Sequence, residues 1–372
     1  MPGKIVGLLL PLLVTILCML ALRPLARSVG LIDRPGGRKQ HIGEIPVIGG
    51  LAMFSGLLVS GLYSYQAFPG FSYLVAGLTV LVFVGVLDDR FDLPAPVRFI
   101  GQTCSALFMV AGANVVVSDL GNVFFGDIVK LGWFADLFTI TIVLTAINAF
   151  NMFDGSDGVA GVQALMGSVF MGFACVLSGY MAPIPLIVSV IGCLVGFLVF
   201  NWPSNRTKTV RAFMGDAGST MLGFLLAWLA IDLSQQPVRV FSPVVALWIF
   251  ALPIFDLFSS MVRRMSNGLS PFHGDSDHLH HVLRRKGLSS RKVAQTVLVG
   301  SAVTAAIGVG GYQWHIPDGV LLVGWLASGV IYHAIFGISL FAGRRRAATL
   351  EAGQEQPLIG SADWSLEKQR RR

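Results

Sequence analysis

Four short runs in this chain set carboxylates, amides and imidazoles at spacings suited to phosphate and divalent-cation chemistry. In Leu87-Asp88-Asp89-Arg90-Phe91-Asp92, two carboxylates sit side by side at the end of an apolar segment. Neighbouring carboxylates at a membrane face repel, and are costly unless they share a cation or a proton. Asn148-Ala-Phe-Asn151-Met-Phe-Asp154-Gly155-Ser156-Asp157-Gly158 follows another apolar segment directly. Its glycines let backbone approach a ligand, and its Asn and Asp oxygens suit a hard cation. The spacing is not that of an EF-hand. In Phe213-Met214-Gly215-Asp216-Ala217-Gly218-Ser219, an aspartate opens a further apolar segment. It reads as a helix cap, or as a metal-binding carboxylate at an N-terminus whose free N–H groups bind phosphate. The fourth run, Ser270 to His281, holds four histidines, among them His278, His280 and His281, and follows Arg263 and Arg264. It lacks a cysteine and the His-Glu-x-x-His spacing, so donors around an anionic diphosphate fit it better than zinc ligation. Each run also has a plainer reading, as a solvated helix end paired with Arg90, a turn, a cap or a solvated loop. Four such runs together point to one site for a phosphorylated substrate and a cation.

The elements that position them are membrane spans. Of 372 residues, 54% are hydrophobic and 13% charged, about half the charge of an ordinary soluble domain. A globule in water cannot hide that much apolar surface, whereas a lipid-facing exterior has no need to. Apolar segments fall at 5–22, 47–66, 72–87, 99–117, 134–150, 159–178, 183–200, 213–232, 243–262, 293–312 and 318–341. The expectation is an all-α polytopic membrane protein of about eleven transmembrane helices. Residues 1–341 form one catalytic domain and 342–372 a polar, basic tail. The first segment reads as a retained helix, being long for a signal and without a cleavage site. Four scattered cysteines, Cys18, Cys104, Cys175 and Cys193, read as buried free thiols.

Placing the C-terminus in the cytoplasm puts every Lys and Arg except Lys4, Lys130 and Arg239 on the cytoplasmic side. The N-terminus is then periplasmic and all four polar runs share the cytoplasmic face. Topology and anionic lipid account for the basic charge, so no nucleic-acid partner is called for. Three rivals compete. Asp88-Asp89-x-x-Asp92 has the spacing with which prenyltransferases ionise an allylic diphosphate, though a second run of that type is missing. A transporter would place ionisable groups at midplane, where only Asp256 falls; Asp256 reads instead as a hydrogen-bonded contact between helices. A non-catalytic lipid-binding scaffold explains none of the four runs.

With these motifs, and with Arg38-Lys39-x-His41-x-Gly43-x-Ile45-Pro46-x-x-Gly49-Gly50 and Ser242-Pro-Val-Val-Ala-Leu-Trp-Ile249, the sequence resembles the polyprenyl-phosphate N-acetylhexosamine-1-phosphate transferases. The resemblance spans roughly 23–340 and is greatest to the bacterial branch that uses undecaprenyl phosphate and UDP-N-acetylglucosamine. It implies the products undecaprenyl-diphospho-N-acetylglucosamine and UMP, with Mg²⁺ as cofactor (Mn²⁺ substituting), in the bacterial inner membrane at the start of a lipid-linked glycan such as lipopolysaccharide. The implied partners are the UDP-sugar, undecaprenyl phosphate and membrane lipids, with a homodimer as one arrangement. By motif, Asp216 and Asn151 would bind the metal or diphosphate. Asp88, Asp89 and Arg98 would lie beside the lipid phosphate, and Asp154, Asp157, Asn201 and Phe213 on the nucleotide side, Phe213 against uracil. Lys39, Arg264, His278, His280 and His281 would hold phosphate and sugar.

A phosphate monoester has a second pKa of about 6, so the acceptor is largely a dianion and needs positioning and charge neutralisation more than a base. Direct attack on the sugar-bearing phosphorus is the expected course. A phosphorylated aspartate, on Asp88, Asp89 or Asp157, is the alternative.

Overall fold

A proline inside a helix leaves the carbonyl four residues earlier without its N–H partner, and within a membrane that carbonyl must find another donor. Two prolines of this chain shape the fold in this way. In the computed structural model, which describes residues 2–34, 43–64, 70–124, 126–204, 212–271 and 278–337, helix α1 (Pro2–Val29) contains Pro11. The Gly7 carbonyl that Pro11 orphans accepts the Ser189 hydroxyl at 3.1 Å. Lys39, loop 205–211 and tail 342–372 lie outside the described residues.

Two-residue strands β1 (Ile32–Asp33) and β2 (Ile45–Pro46) pair antiparallel after α1, a small departure from the all-α expectation. Then come α2 (Gly49–Ser64), α3 (Phe71–Phe91) and α4 (Ala95–Leu107), which ends in a π-helical turn over Phe108–Gly112. Helices α5 (Ala135–Phe153), α6 (Val159–Ser178), α7 (Ile184–Asn201) and α8 (Gly215–Ser234) follow. The last are α9 (Pro243–Ile249), α10 (Ala251–Ser266), α11 (Leu279–Arg285), α12 (Ser290–Gln313) and α13 (Asp318–Tyr332).

Among the described residues, eight helices are long and apolar enough to cross a membrane, which makes this a polytopic membrane protein. Each of the eleven expected segments overlaps a helix, yet not all eleven qualify as spans. Helices α9 and α10 form a ninth only as a pair bent by 79°. The apolar part of α2, Gly49–Leu62, is about 21 Å long, short of a hydrocarbon core of about 30 Å. Helix α4 has 13 residues, including Arg98, before its π turn. The four cysteines are free; Cys175 and Cys193 are buried as expected, Cys18 and Cys104 partly exposed.

The bend between α9 and α10 follows from the second proline. Pro253 cannot donate to the Ile249 carbonyl, and Gln163 of α6 does so instead at 3.1 Å. Ser301 of α12 in turn donates to the side-chain Oε1 of Gln163. This buried relay holds the break open and turns α10 so that Asp256, Arg263 and Arg264 are buried while Phe258, Val262 and Met265 are exposed.

Helix α8 is the axis of the bundle. Of its most apolar 18 residues 94% are buried, against 17% in α13, and it packs on α2, α3, α5, α6 and α9. Glycines permit the closest approaches. A Cβ on Gly50 would enter the backbone of Gly218, and one on Gly85 the backbone of Ala217. Both crossings lie at the end of α8 that carries Asp216.

Candidate active site

The first N–H groups of any helix lack intrahelical partners and attract negative charge. At α8 this demand is met by Asp89 of α3, which accepts from the Asp216 N–H at 2.9 Å and the Ala217 N–H at 3.3 Å. Two expectations change as a result. Asp216 does not cap its own helix, and these N–H groups are engaged by a carboxylate of the protein instead of waiting for a phosphate. Gly215, at φ +74°, makes the turn that lets Asp89 in; a Cβ there would strike its carboxylate.

Freed from capping, the Asp216 carboxylate turns to its neighbours. Asn151, in the last turn of α5, donates from Nδ2 to Asp216 Oδ1 at 2.6 Å and to Ser219 Oγ at 3.0 Å. Asp88 lies within hydrogen-bonding reach of Asp216. The Asp88 side chain is itself fixed twice, Oδ1 accepting from the Leu93 N–H at 2.7 Å and Oδ2 from Arg98 at 3.2 Å. Adjacent in sequence, Asp88 and Asp89 thus do different work. Asp88 faces Arg98 and Asp216, while Asp89 holds backbone.

The turn after α5 closes the other side. Burial raises the Asp154 carboxyl well above the usual range, and the charges of Asp216, Asp89 and Asp157 add to the effect. A carboxyl with a raised folded-state pKa binds more protons folded than unfolded. Its cost to stability therefore appears as pH rises past the ordinary carboxylate value and is complete above the folded value. Asp154→Asn is accordingly expected to raise the thermal midpoint of ligand-free protein at neutral pH by about 2 °C or more while lowering activity. Thermal unfolding in detergent measures the midpoint; a lower value at pH 7.5 contradicts the repulsion.

Asn201, expected at the substrate, spends both ends of its amide on backbone. Its Oδ1 accepts from the Gly158 N–H at 2.8 Å, and its Nδ2 donates to the Ala212 carbonyl at 3.0 Å. It ties the Asp154–Gly158 turn to the strand-like residues before α8. There the Phe213 N–H donates to Pro46, and its carbonyl accepts from the Gly49 N–H, both at 2.9 Å. The Phe213 side chain is half-buried.

The histidines arrive on α11. His278 Nδ1 donates to Asp256 at 2.8 Å. The His280 ring packs over Gly155 of the acidic turn and against His281, with centroids 4.2 Å apart. Burial, and the neighbouring His281 charge, push His280 down to about 3, so it is neutral at pH 7. Among the described residues neither of its ring nitrogens has a hydrogen-bond partner. Arg264 is buried with Nη1 on the Pro271 carbonyl at 2.7 Å. Hydrogen bonds thus join Asp88 to Arg98, and Asp89 and Asn151 to the start of α8, at one end of the bundle. Asp154 and Asp157 lie close enough for their charges to act on one another, Asn201 ties their turn to the residue before Phe213, and His280 packs against the same turn. Sequence reasoning passed over Ser219, Ser260 and Tyr332. Only the first, three residues beyond Asp216 on one helical face, offered a signal.

A family model described as glycosyl transferase family 4 matches residues 71–234, the stretch from α3 to α8 that contains the whole carboxylate cluster. Undecaprenyl-phosphate alpha-N-acetylglucosaminyl 1-phosphate transferases are similar over most of the chain. That of Yersinia pestis is 35% identical over 311 residues, 83% of this chain and 85% of its own length. That of Escherichia coli strain K12 is 35% identical over 322 residues, 86% and 87% of the two chains. That of Haemophilus influenzae is 34% identical over 317 residues, 85% and 89%.

The chain belongs to glycosyl transferase family 4. As a family 4 protein it is a membrane-embedded transferase. The family match ends with α8, whose last residue is Ser234, so Asp256, Arg264 and the histidines lie beyond the matched stretch.

Proposed function

We propose that this protein transfers N-acetylglucosamine-1-phosphate from UDP-N-acetylglucosamine to undecaprenyl phosphate, forming undecaprenyl-diphospho-N-acetylglucosamine and UMP. The observation that carries the proposal is the meeting of Asp88, Asn151 and Asp216, from three helix ends, beside Arg98. The names of the similar proteins supply the sugar and the lipid; the nucleotide comes from the resemblance of the motifs.

The roles follow from charge. Arg98, held by Asp88, faces the lipid phosphate. Asp88 lies on the acceptor side, and Asp89 keeps the N-terminus of α8 in place. Phe213 offers a ring to the uracil, Asp154 and Asp157 receive the nucleotide side, and Arg264, His278, His281 and Lys39 neutralise phosphate around the sugar. The dianionic acceptor attacks the sugar-bearing phosphorus, the bond to the UMP oxygen breaks, and the electron pair leaves with UMP. Attack by Asp157 or Asp88 in place of the lipid phosphate is the less economical route, since the acceptor already carries its nucleophilic oxygen deprotonated.

Magnesium fits this donor set. Among the described residues no three His, Cys, Asp or Glu side chains form a ready cage. Mg²⁺, however, is usually held by one or two carboxylates with the remaining positions given to water and substrate phosphates. Asp216 would hold it together with the Asn151 carbonyl oxygen, since the Asn151 amino group already faces Asp216. The ion would neutralise charge on the diphosphate as UMP departs.

The site lies at the cytoplasmic face of the bacterial inner membrane on this reading, with the N-terminus periplasmic, because lysine and arginine gather on that side. A D-D-x-x-D prenyltransferase is less well supported. Its clamp needs both leading carboxylates for the metal, and Asp89 is engaged by backbone. The test is purified protein with undecaprenyl phosphate, Mg²⁺ and a panel of UDP-sugars. UMP release greatest with UDP-N-acetylglucosamine is the expected result; release of pyrophosphate, or no UMP with any sugar, overturns the assignment.

A further inference from the structure

The break at Pro253 carries α10 inward, and with it one acid that no step above uses. Asp256 is 4% exposed, and both of its oxygens are engaged. Oδ2 accepts from His278 Nδ1 at 2.8 Å. Oδ1 accepts the Leu279 N–H at 2.8 Å and the Tyr332 hydroxyl at 3.0 Å. Ser260, one turn along α10, also meets His278 Nδ1 at 3.3 Å.

These bonds determine two things about the histidine run. A carboxylate only accepts, so His278 Nδ1 carries a proton and the ring is fixed in one tautomer and orientation. The Leu279 N–H is the first of α11, so the same carboxylate supplies the N-terminal charge of that short helix. Helix α11 then has a fixed start, and His280 and His281 a fixed phase on it. Tyr332, at the end of α13, holds the carboxylate from the far side, and its ring packs on Phe255 at 5.8 Å between centroids.

We propose that Asp256 is the positioning residue of the active-site histidines, braced by Tyr332, and that through His278 it sets the affinity for the sugar nucleotide. The proposal rests on the reading above in which these histidines neutralise the phosphates of the UDP-sugar. A buried hydrogen-bonded carboxylate of this kind acts through orientation more than through stability. A hydrophobic substitute of similar shape would leave the helices packed and the histidines unaimed.

The experiment uses the full chain in detergent, with Asp256→Asn, Tyr332→Phe, His278→Ala and the double variant Asp256→Asn/His278→Ala. Asp256→Asn is expected to raise KM for the UDP-sugar about tenfold, the low end of what loss of a histidine's outer partner does at other sites. KM for undecaprenyl phosphate stays unchanged. Tyr332→Phe, which removes one of the two donors on Oδ1, raises the same KM about threefold. In the His278→Ala background, Asp256→Asn adds no further rise, because a residue acting through another has no effect once that other is gone. Additive losses, or equal losses in both KM values, overturn the positioning role. If Asp256→Asn does not fold, the Tyr332→Phe split between the two KM values decides. Should His278→Ala leave the UDP-sugar KM unchanged, the histidine assignment itself fails; a His278→Ala defect without an Asp256→Asn defect fails Asp256 alone.

Discussion

Asp216→Ala is expected to lower turnover on the order of 10³-fold or more in a protein that elutes and melts like the parent. The fold has little reason to notice the change. The N–H groups of Asp216 and Ala217 remain bonded to Asp89, the Thr220 hydroxyl still reaches the residue 216 carbonyl, and alanine is the best helix former. Removing one of several mutually repelling carboxylates also relieves strain in the ligand-free site. What disappears is the acidic oxygen facing Asn151 and Asp88, and with it the proposed anchor for the cation on the diphosphate. Chelation gives the same result by another route. EDTA is expected to abolish UMP release by the parent, and Mg²⁺ or Mn²⁺ to restore it. Full turnover in EDTA, or an Asp216→Ala enzyme within tenfold of the parent, would sink the metal assignment.

The second large effect separates the two substrates. Asp88→Asn is expected to reduce kcat on the order of 10²-fold with KM for the UDP-sugar held within about twofold. The asparagine oxygen still accepts from the Leu93 N–H, so the turn after α3 survives, but Arg98 loses its ionic partner. On the proposed placement that arginine orients the acceptor, which matters most in the transition state, so the loss is expected in kcat. Phe213→Ala behaves in the opposite way. Its structural bonds are made by backbone, to Pro46 and Gly49, so truncating the half-buried ring leaves them in place. Loss of a base–aromatic stack costs about 1–3 kcal/mol, and a contact made equally in ground and transition states appears in KM. Calorimetric titration with UMP alongside steady-state kinetics reads both variants. If Asp88→Asn weakens UMP while Phe213→Ala does not, the two substrates are placed the wrong way round.

Much of this was legible in the sequence because each polar run directly abuts an apolar one. A helix end that carries Asn-x-x-Asn where lysine would serve is conspicuous. Asp256 stood out for the same reason, as an acid with no aqueous excuse, and it proved to be hydrogen-bonded between helices. The division of labour between Asp88 and Asp89 was not legible. Which of two adjacent carboxylates faces the N-terminus of α8 depends on the rotation of α3 about its axis, and the closeness of Gly85 to Ala217 fixes that rotation only once both helices are packed. The backbone bonds of Asn201 were hidden for a related cause. An amide beside a substrate and an amide joining two loops have the same composition. The bend at Phe250 was readable in principle from Pro253, but its donor, Gln163, lies 86 residues earlier on another helix. The count of eleven spans took the apolar runs 47–66 and 99–117 at their full sequence length, whereas the helices there, α2 and α4, have 16 and 13 residues.

The burial of α8 has a consequence for how such chains are scanned. A helix enclosed on all sides by other helices meets no acyl chains, so nothing selects its side chains for solubility in oil. Of the eight apolar helices, α8 is the least hydrophobic, with Asp216 in its first turn and Asp232 near its last. A scan that ranks helices by hydropathy therefore places last the one that carries Asp216 and is most enclosed by the others.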